Sequence, residues 1–302
     1  MAKIVFMGSP AFALPSLGVL AGAYPVVGVV TQPDRASGRG RELKPPPVKT
    51  LALELGIPFI QPEKLRAPEA MEQLRAWAPD LIVVAAYGQI LKPDVLDLPR
   101  FGCLNVHASL LPRWRGAAPI HAAILHGDEE TGVTIMKMNP GLDTGAMLAK
   151  RSIRLTRDDS MGSVTEALSH LGADLLIETL PRWIAGEIQP QAQDDSLSTY
   201  APMINKEQGR LDFTGDVLEL ERRVRAFNPW PGAYMDFEGA LLKVHRAHVE
   251  MGDVGAGQRL VWREQPAVGA RGGLLILDEV QPAGKRSMNG KAFLAGAHTW
   301  AE

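Results

Sequence analysis

Cysteine is nearly absent from this 302-residue chain: Cys103 stands alone. One cysteine cannot close an internal disulfide, which points to a reducing compartment. Cys103 lies in the apolar run Gly102-Cys-Leu-Asn-Val106. It reads as a core residue, because a reactive thiol needs an electropositive, partly exposed site. Neither C-x-x-C nor H-E-x-x-H spacing occurs, so no metal site is predicted. Charge of one sign is not in excess: 32 Lys+Arg face 34 Asp+Glu, a formal net charge of −2, so bulk charge does not argue for nucleic acid. No apolar run approaches the roughly 20 residues of a membrane span. The apolar stretch near the start, Lys3-Ile-Val-Phe-Met7, is stopped by Gly8-Ser-Pro10 and is too short for a signal-peptide core. The chain is therefore expected to be cytoplasmic with no membrane association; it is also expected to be a monomer. A G-x-G-x-x-G fingerprint is also missing, which argues against a nucleotide-dependent oxidoreductase.

What is present is a soluble composition, 46% hydrophobic and 22% charged, with length enough for two domains. Strand patterns at Lys3–Met7, Val26–Val30, Pro58–Ile60 and Leu81–Ala85 alternate with helical patterns at Pro15–Leu20, Val48–Leu55 and Pro68–Trp77. That alternation predicts a mostly parallel sheet covered on both faces, a doubly wound α/β domain. Helical periodicity returns over Asp158–Ile184, where Val164, Leu168, Leu171, Leu175 and Leu176 share a face. Polar residues from Gly186 to Tyr200 read as a linker. Leu218–Phe227 is a further helix. The short segments Ala233–Phe237, Leu241–His248, Gln258–Val261 and Leu274–Val280 predict a small β-barrel. The expected division is an α/β domain over 1–190, a linker over 191–205 and a barrel over 206–302. The last of these holds 13 Lys+Arg and 13 Asp+Glu, so it is not basic as a whole. Residues 32–47 read as a long loop with Gly hinges, a Pro run and the cations Arg35, Arg39, Arg41 and Lys44. It is either a solvated connection or a basic flap that closes on a polyanion.

The chemistry concentrates in two stretches. Asn105 and His107 stand two apart at the end of a predicted strand, so both polar groups project from one face. Such groups must be satisfied or functional. Asp143 follows in the turn Gly141-Leu-Asp-Thr-Gly145, whose glycines suit close approach to a ligand. An amide can donate to a developing oxyanion, an imidazole can carry a proton, and a carboxylate can hold the imidazole in place. In open α/β sheets such groups gather at the C-terminal ends of strands.

The string Asn105-Val-His107-Ala-Ser-Leu-Leu-Pro-Arg113-Trp-Arg115-Gly-Ala-Ala-Pro119-Ile, with Gly141-Leu-Asp143-Thr-Gly145, resembles the folate-dependent formyltransferases. The likeness runs over nearly the whole chain. It includes Thr31-Gln-Pro-Asp-Arg35, Gly38-Arg39-Gly40, Val84-Ala-Ala-Tyr87-Gly88 and Arg225-Ala-Phe-Asn-Pro-Trp-Pro231, and Ala108 departs from an expected glycine. The resemblance implies a Rossmann-like catalytic domain followed by an OB-like barrel. It implies 10-formyltetrahydrofolate as donor and no metal. It also implies, through the flap and the C-terminal region, the α-amine of methionine on initiator methionyl-tRNA as acceptor, a step that supports translation initiation. Asn105, His107 and Asp143 would be catalytic. Tyr87, Gly88, Ser109, Leu110, Leu111, Pro112, Arg113 and Gly116, with Asp143, would bind folate. Arg35, Arg39, Arg41, Lys44, Arg222, Arg223 and Arg225 would bind tRNA. A small amine acceptor, an amino sugar or glycinamide ribonucleotide, would share the catalytic three but need neither the flap nor the β domain.

Overall fold

The computed structural model describes residues 1–37 and 42–301. In chain order the first elements are β1 (Ile4–Gly8), α1 (Leu14–Ala23), β2 (Val26–Val30), β3 (Arg35–Ser37), β4 (Glu42–Lys44), α2 (Pro47–Glu54) and β5 (Phe59–Ile60). Then come α3 (Pro68–Trp77), β6 (Leu81–Ala85), α4 (Pro93–Leu96), β7 (Cys103–His107), β8 (Arg115–Gly116), α5 (Pro119–Leu125), β9 (Glu130–Lys137), β10 (Met147–Arg154) and α6 (Met161–Ile184). The remainder comprises β11 (Tyr200–Ala201), α7 (Val217–Ala226), β12 (Ala233–Phe237), β13 (Ala240–Glu250), β14 (Arg259–Trp262), β15 (Gln265–Ala270), β16 (Gly273–Pro282), β17 (Met288–Asn289) and α8 (Gly290–Leu294). Each of α1 to α5 has proline in its first two positions. The N–H that proline lacks is one that no helix start can satisfy internally, and its fixed φ already suits a helix. Helices α7 and α8 are capped by side chains instead: Asp216 accepts from Leu218 N and Asn289 from Ala292 N.

Contacts divide the chain into two units. The first contains residues 1–116, 131–153 and 165–200. Its seven-stranded sheet has the order β10-β9-β7-β6-β1-β2-β5. The pairs from β5 through β7 are parallel, whereas β7 and β9 are antiparallel. Strands β1 and β6 are buried along their whole length, so they show a continuous apolar run instead of an alternation. The mostly parallel α/β expectation holds. Strands β9 and β10 extend the sheet beyond the strands read from the sequence. The six central residues of β9 are all buried, which erases the period-two pattern that identifies a half-buried strand.

Residues 32–47 are not a plain loop. Strands β3 and β4 pair antiparallel within them, Arg35 opposite Lys44 and Ala36 opposite Leu43. The base is pinned, because the Asp34 carboxylate accepts from Lys49 Nζ at 2.6 Å and from Gln61 Nε2 at 2.7 Å. Those donors hold its carboxyl below the usual carboxylate range. Arg39 and Arg41 lie outside the described residues.

The second unit contains residues 117–130, 154–164 and 201–302. Its antiparallel sheet has the order β12-β13-β16-β15-β14, with β17 added to β16. The register shifts twice within Val244–Ala247 of β13, where it faces β16; such irregularities bend and twist a long strand. Helix α7 packs on this sheet through Val217, Leu220 and Val224, which join Leu242, Val244, Leu275 and Leu277 in one core. Trp300 is 1% exposed, lies 5.3 Å from the Phe237 ring and 5.5 Å from the Phe293 ring, and donates Nε1–H to Leu260 O. The residues just before the end of the chain therefore close this core.

Replacing so large a buried aromatic leaves a cavity and an unpaired carbonyl. Trp300→Ala should lower the free energy of opening of β14–β16, measured by native-state hydrogen exchange, by about 3–5 kcal/mol. A loss under about 1 kcal/mol would show that Trp300 does not close the core.

Candidate active site

Strands β6 and β7 are parallel neighbours in register, Val84 beside Asn105. Their C-terminal ends therefore open on the same edge of the sheet. Gly8 ends β1 on that edge too: a Cβ there would come within 2.8 Å of Ala85 O, so only glycine allows this approach. Asn105 is partly buried within the otherwise buried run of β7, and among the described residues no hydrogen bond to its side chain occurs. His107 is 5% exposed.

Beyond His107 the chain doubles back on its own strand. His107 Nε2 lies 3.0 Å from Trp114 O. A carbonyl only accepts, so Nε2 carries the proton. His107 Nδ1 then faces Asp143, 3.8 Å from Oδ2. That gap is too long for a hydrogen bond. Asp143 Oδ2 instead accepts from Gly116 N at 2.9 Å. The expectation that a carboxylate holds the imidazole in place is not met by a direct hydrogen bond from Asp143; the Trp114 carbonyl accepts from the ring instead. Trp114 and Asp143 both take positive φ, 62° and 51°, a conformation that costs a non-glycine residue energy and is kept where surroundings enforce it.

Several groups enforce it. Trp114 N donates to Thr199 Oγ1 at 2.8 Å and Arg115 N to Thr199 O at 2.9 Å. Thr134, fully buried and opposite His107 in the β7–β9 ladder, accepts from Leu111 N and donates to Ser109 O at 2.7 Å. Gln193 Nε2 donates to both Asp143 O and Gly145 O, each at 2.7 Å. A Cβ on Gly145 would fall 1.8 Å from Lys137 O, so this turn tolerates only glycine there. Thr134, Thr199 and Gln193 were missed from the sequence. Thr134 is a hydroxyl in an apolar strand, a faint signal; Gln193 sits in a polar stretch and gives none.

Of the residues expected to bind folate, Tyr87 and Gly88 follow β6, Ser109 to Gly116 follow β7, and Asp143 is joined to the latter through Gly116. The Tyr87 hydroxyl is buried without a hydrogen-bond partner, and burial raises its pKa. Gly88 has φ +86°, and Gln32 Nε2 donates to Tyr87 O. Ser109 spends its hydroxyl on Arg113 O at 2.6 Å. Leu110 N-terminal to the buried Leu111 is partly exposed, whereas Leu111 packs with Met136 and Met147, and Lys150 donates to its carbonyl. Pro112 O accepts from Thr199 N, and the Arg113 guanidinium lies 4.3 Å from the Trp114 ring centroid.

Of the expected tRNA set, Arg35 and Lys44 are exposed on the hairpin. Arg222 lies against Gly127, where a Cβ would meet its guanidinium at 2.9 Å. Arg223 donates to Gln208 O. Arg225 is clamped by both Glu221 oxygens and donates to Asp159 O at 3.1 Å. The last two guanidinium groups are committed within their own unit. Among the described residues no cluster of His, Cys, Asp and Glu could hold a metal ion, and no helix is long and apolar enough to cross a membrane.

A family model described as formyl transferase matches residues 6–180, and one described as formyl transferase, C-terminal domain, matches residues 203–298. A methionyl-tRNA formyltransferase from Myxococcus xanthus is 50% identical over 295 residues, covering 97% of this chain and 95% of its own. One from Methylococcus capsulatus is 50% identical over 302 residues, with 99% and 98% covered. The solved methionyl-tRNA formyltransferase from Clostridium thermocellum superposes with a TM-score of 0.58 at 16% identity, covering 85% of this chain and 97% of that one, a likeness of fold.

Cys103, beside Asn105 in number, is 1% exposed and packs with the core of the first unit. Burial, aided by the Asp97 charge, pushes its thiol up to about 12. At pH 8 the thiol is then almost wholly protonated. Iodoacetamide at that pH should label Cys103 only after unfolding; labelling of the native protein at the rate of a free thiol would contradict its placement.

Proposed function

The chain belongs to the formyl transferase family, and we propose that it transfers the formyl group of 10-formyltetrahydrofolate to the α-amine of methionine on initiator methionyl-tRNA. The observation that carries this reading is half-identity to methionyl-tRNA formyltransferases across both matched domains. A small-amine acceptor is not favoured, because that likeness includes the hairpin and the C-terminal β region. The site supports it chemically. The neutral amine attacks the formyl carbon, the carbonyl oxygen takes up negative charge, and the C–N10 bond breaks as a proton passes from the amine to N10 of the folate. The Asn105 amide, free of protein partners among the described residues, is the donor offered to that oxygen; one such donor is typically worth about 3–4 kcal/mol. His107, held by Trp114 O, presents Nδ1 toward the same gap as Asp143 Oδ2. The gap is where the amine proton can be received. Asp143 Oδ2 is held beside that gap by the hydrogen bond from Gly116 N.

The folate set supports a pocket made chiefly by backbone. Ser109 is turned inward and Leu111 is core, so the 109–116 segment offers its peptide groups, and the Tyr87–Gly88 turn stands at the adjacent strand end. For the tRNA, Arg35 and Lys44 face each other across the hairpin. Like charges placed opposite destabilise a strand pair, and a polyanion relieves that repulsion. Arg39 and Arg41 belong to the same segment of sequence, and together these four cations are the proposed contact to the acceptor end. Arg222 is kept as a contact of the C-terminal region. Arg223 and Arg225 are assigned to holding that region in shape. In this reading residues 1–190 are catalytic, 191–205 connect, and 206–302 serve tRNA binding. The enzyme works as a cytoplasmic monomer without a metal.

The test is formyl transfer to charged initiator and elongator methionyl-tRNA, side by side. Initiator tRNA should be the better substrate. Asn105→Ala, His107→Ala and Asp143→Ala should each slow the reaction by about 10²-fold or more with the fold kept, and combined variants should fall well short of the product of the single losses. No transfer to either tRNA, with transfer to a sugar or ribonucleotide amine instead, would sink the assignment.

A further inference from the structure

Gln193 lies in the stretch whose composition reads as a mere connection, yet every polar atom of its side chain is engaged. Its Nε2 donates to Asp143 O and Gly145 O, both at 2.7 Å, so both amide hydrogens are spent on one turn. Its Oε1 accepts from Arg115 Nε at 3.0 Å, and Arg115 Nη2 reaches Asp195 Oδ1 at 2.7 Å. We propose that Gln193 is a positioning residue for the Asp143 carboxylate, tying the turn that carries Asp143 to the segment that holds His107. This rests on the catalytic reading of Asp143 given above.

The physical case has three parts. Asp143 takes φ +51°, a left-handed conformation that aspartate adopts more readily than most residues but that one arrangement of the turn must still hold. The two carbonyls that Gln193 grips belong to Asp143 itself and to Gly145, two residues on, so the amide closes the turn from outside. Asp143 Oδ2 is fixed by Gly116 N, and Arg115, the adjacent residue, is fixed by Gln193 Oε1. One side chain thus sets both ends of the Asp143–Gly116 contact. Displacement of a reacting group by about 1 Å can cost about 10²-fold in rate.

Two substitutions separate the two halves of this amide. Gln193→Glu keeps an acceptor for Arg115 but loses both hydrogens given to the carbonyls. Gln193→Met is close in size and loses everything. Each is measured in the full chain, with Asp143 intact and with Asp143→Ala, for kcat, for KM toward the formyl donor and methionyl-tRNA, and for Tm. With Asp143 intact, both should lower kcat by about 10-fold or more, with KM changed less than about 2-fold. With Asp143→Ala the further loss should shrink to under about 2-fold, because the group being positioned is gone. Wild-type kcat in Gln193→Glu, with loss only in Gln193→Met, would assign the effect to Arg115 and overturn the proposal. Equal losses in both backgrounds, or a fall in Tm without a fall in kcat, would overturn it as well. Near wild-type turnover of Asp143→Ala alone would remove the catalytic reading, and this proposal with it, whatever Gln193 does; the preceding outcomes sink the proposal and leave that reading standing.

Discussion

The site depends on one act of chain reversal: the segment after β7 folds back so that the Trp114 carbonyl meets His107 Nε2 and the Gly116 amide meets Asp143 Oδ2. The His107 ring and the Asp143 carboxylate are thereby fixed by backbone atoms of a single ten-residue stretch. Backbone groups cannot rotate away as side chains do, so the arrangement is held in one geometry. The cost is a left-handed Trp114 and a left-handed Asp143. Buried or bridging polar side chains offset it: Thr134 inside the loop, Thr199 behind Trp114, and Gln193 behind the Asp143 turn.

The sheet makes this reversal useful. Parallel β1, β6 and β7 end together, and Gly8 lets β1 close on β6. The Asn105 amide, with its neighbours on the strand buried, is left at that edge without a protein partner among the described residues. Antiparallel β9 then runs back beside β7, bringing Thr134 opposite His107 and delivering the chain to the Asp143 turn. The strand is therefore both a wall of the core and the carrier of the carboxylate. In the second unit the same economy holds at a larger scale. Arg225 is consumed by Glu221 and Asp159, and Trp300 by the β-sheet core, so charge and aromatic area there serve the domain's own stability first.

Much of this was legible in the residues. The strands at 26–30, 81–85 and 233–237 and the helix at 68–77 coincide with the observed elements, because buried β runs and an amphipathic helix carry strong local signals. The pairing of Asn105 with His107 on one strand face was readable from spacing alone. What could not be read is long-range. Strand β9 is buried on both sides and loses its alternation; β15 begins Gln265-Pro266, and proline masks a strand. The pairing of β3 with β4 was hidden by a sequence segment rich in glycine and proline. Trp114 O as the partner of His107, and Gln193 as the clamp on Asp143, depend on a left-handed residue and on a contact fifty positions away. Neither propensity nor periodicity encodes such contacts.

The central claim is that the Trp114 carbonyl, and not Asp143, sets which tautomer the neutral His107 ring adopts. Nitrogen NMR of the protein labelled with 15N-histidine reads this directly. With the ring neutral, the account predicts a protonated Nε2 and an unprotonated Nδ1 for His107, and the same tautomer in Asp143→Asn. A neutral ring protonated at Nδ1, or a tautomer that switches when Asp143 is neutralised, would contradict it.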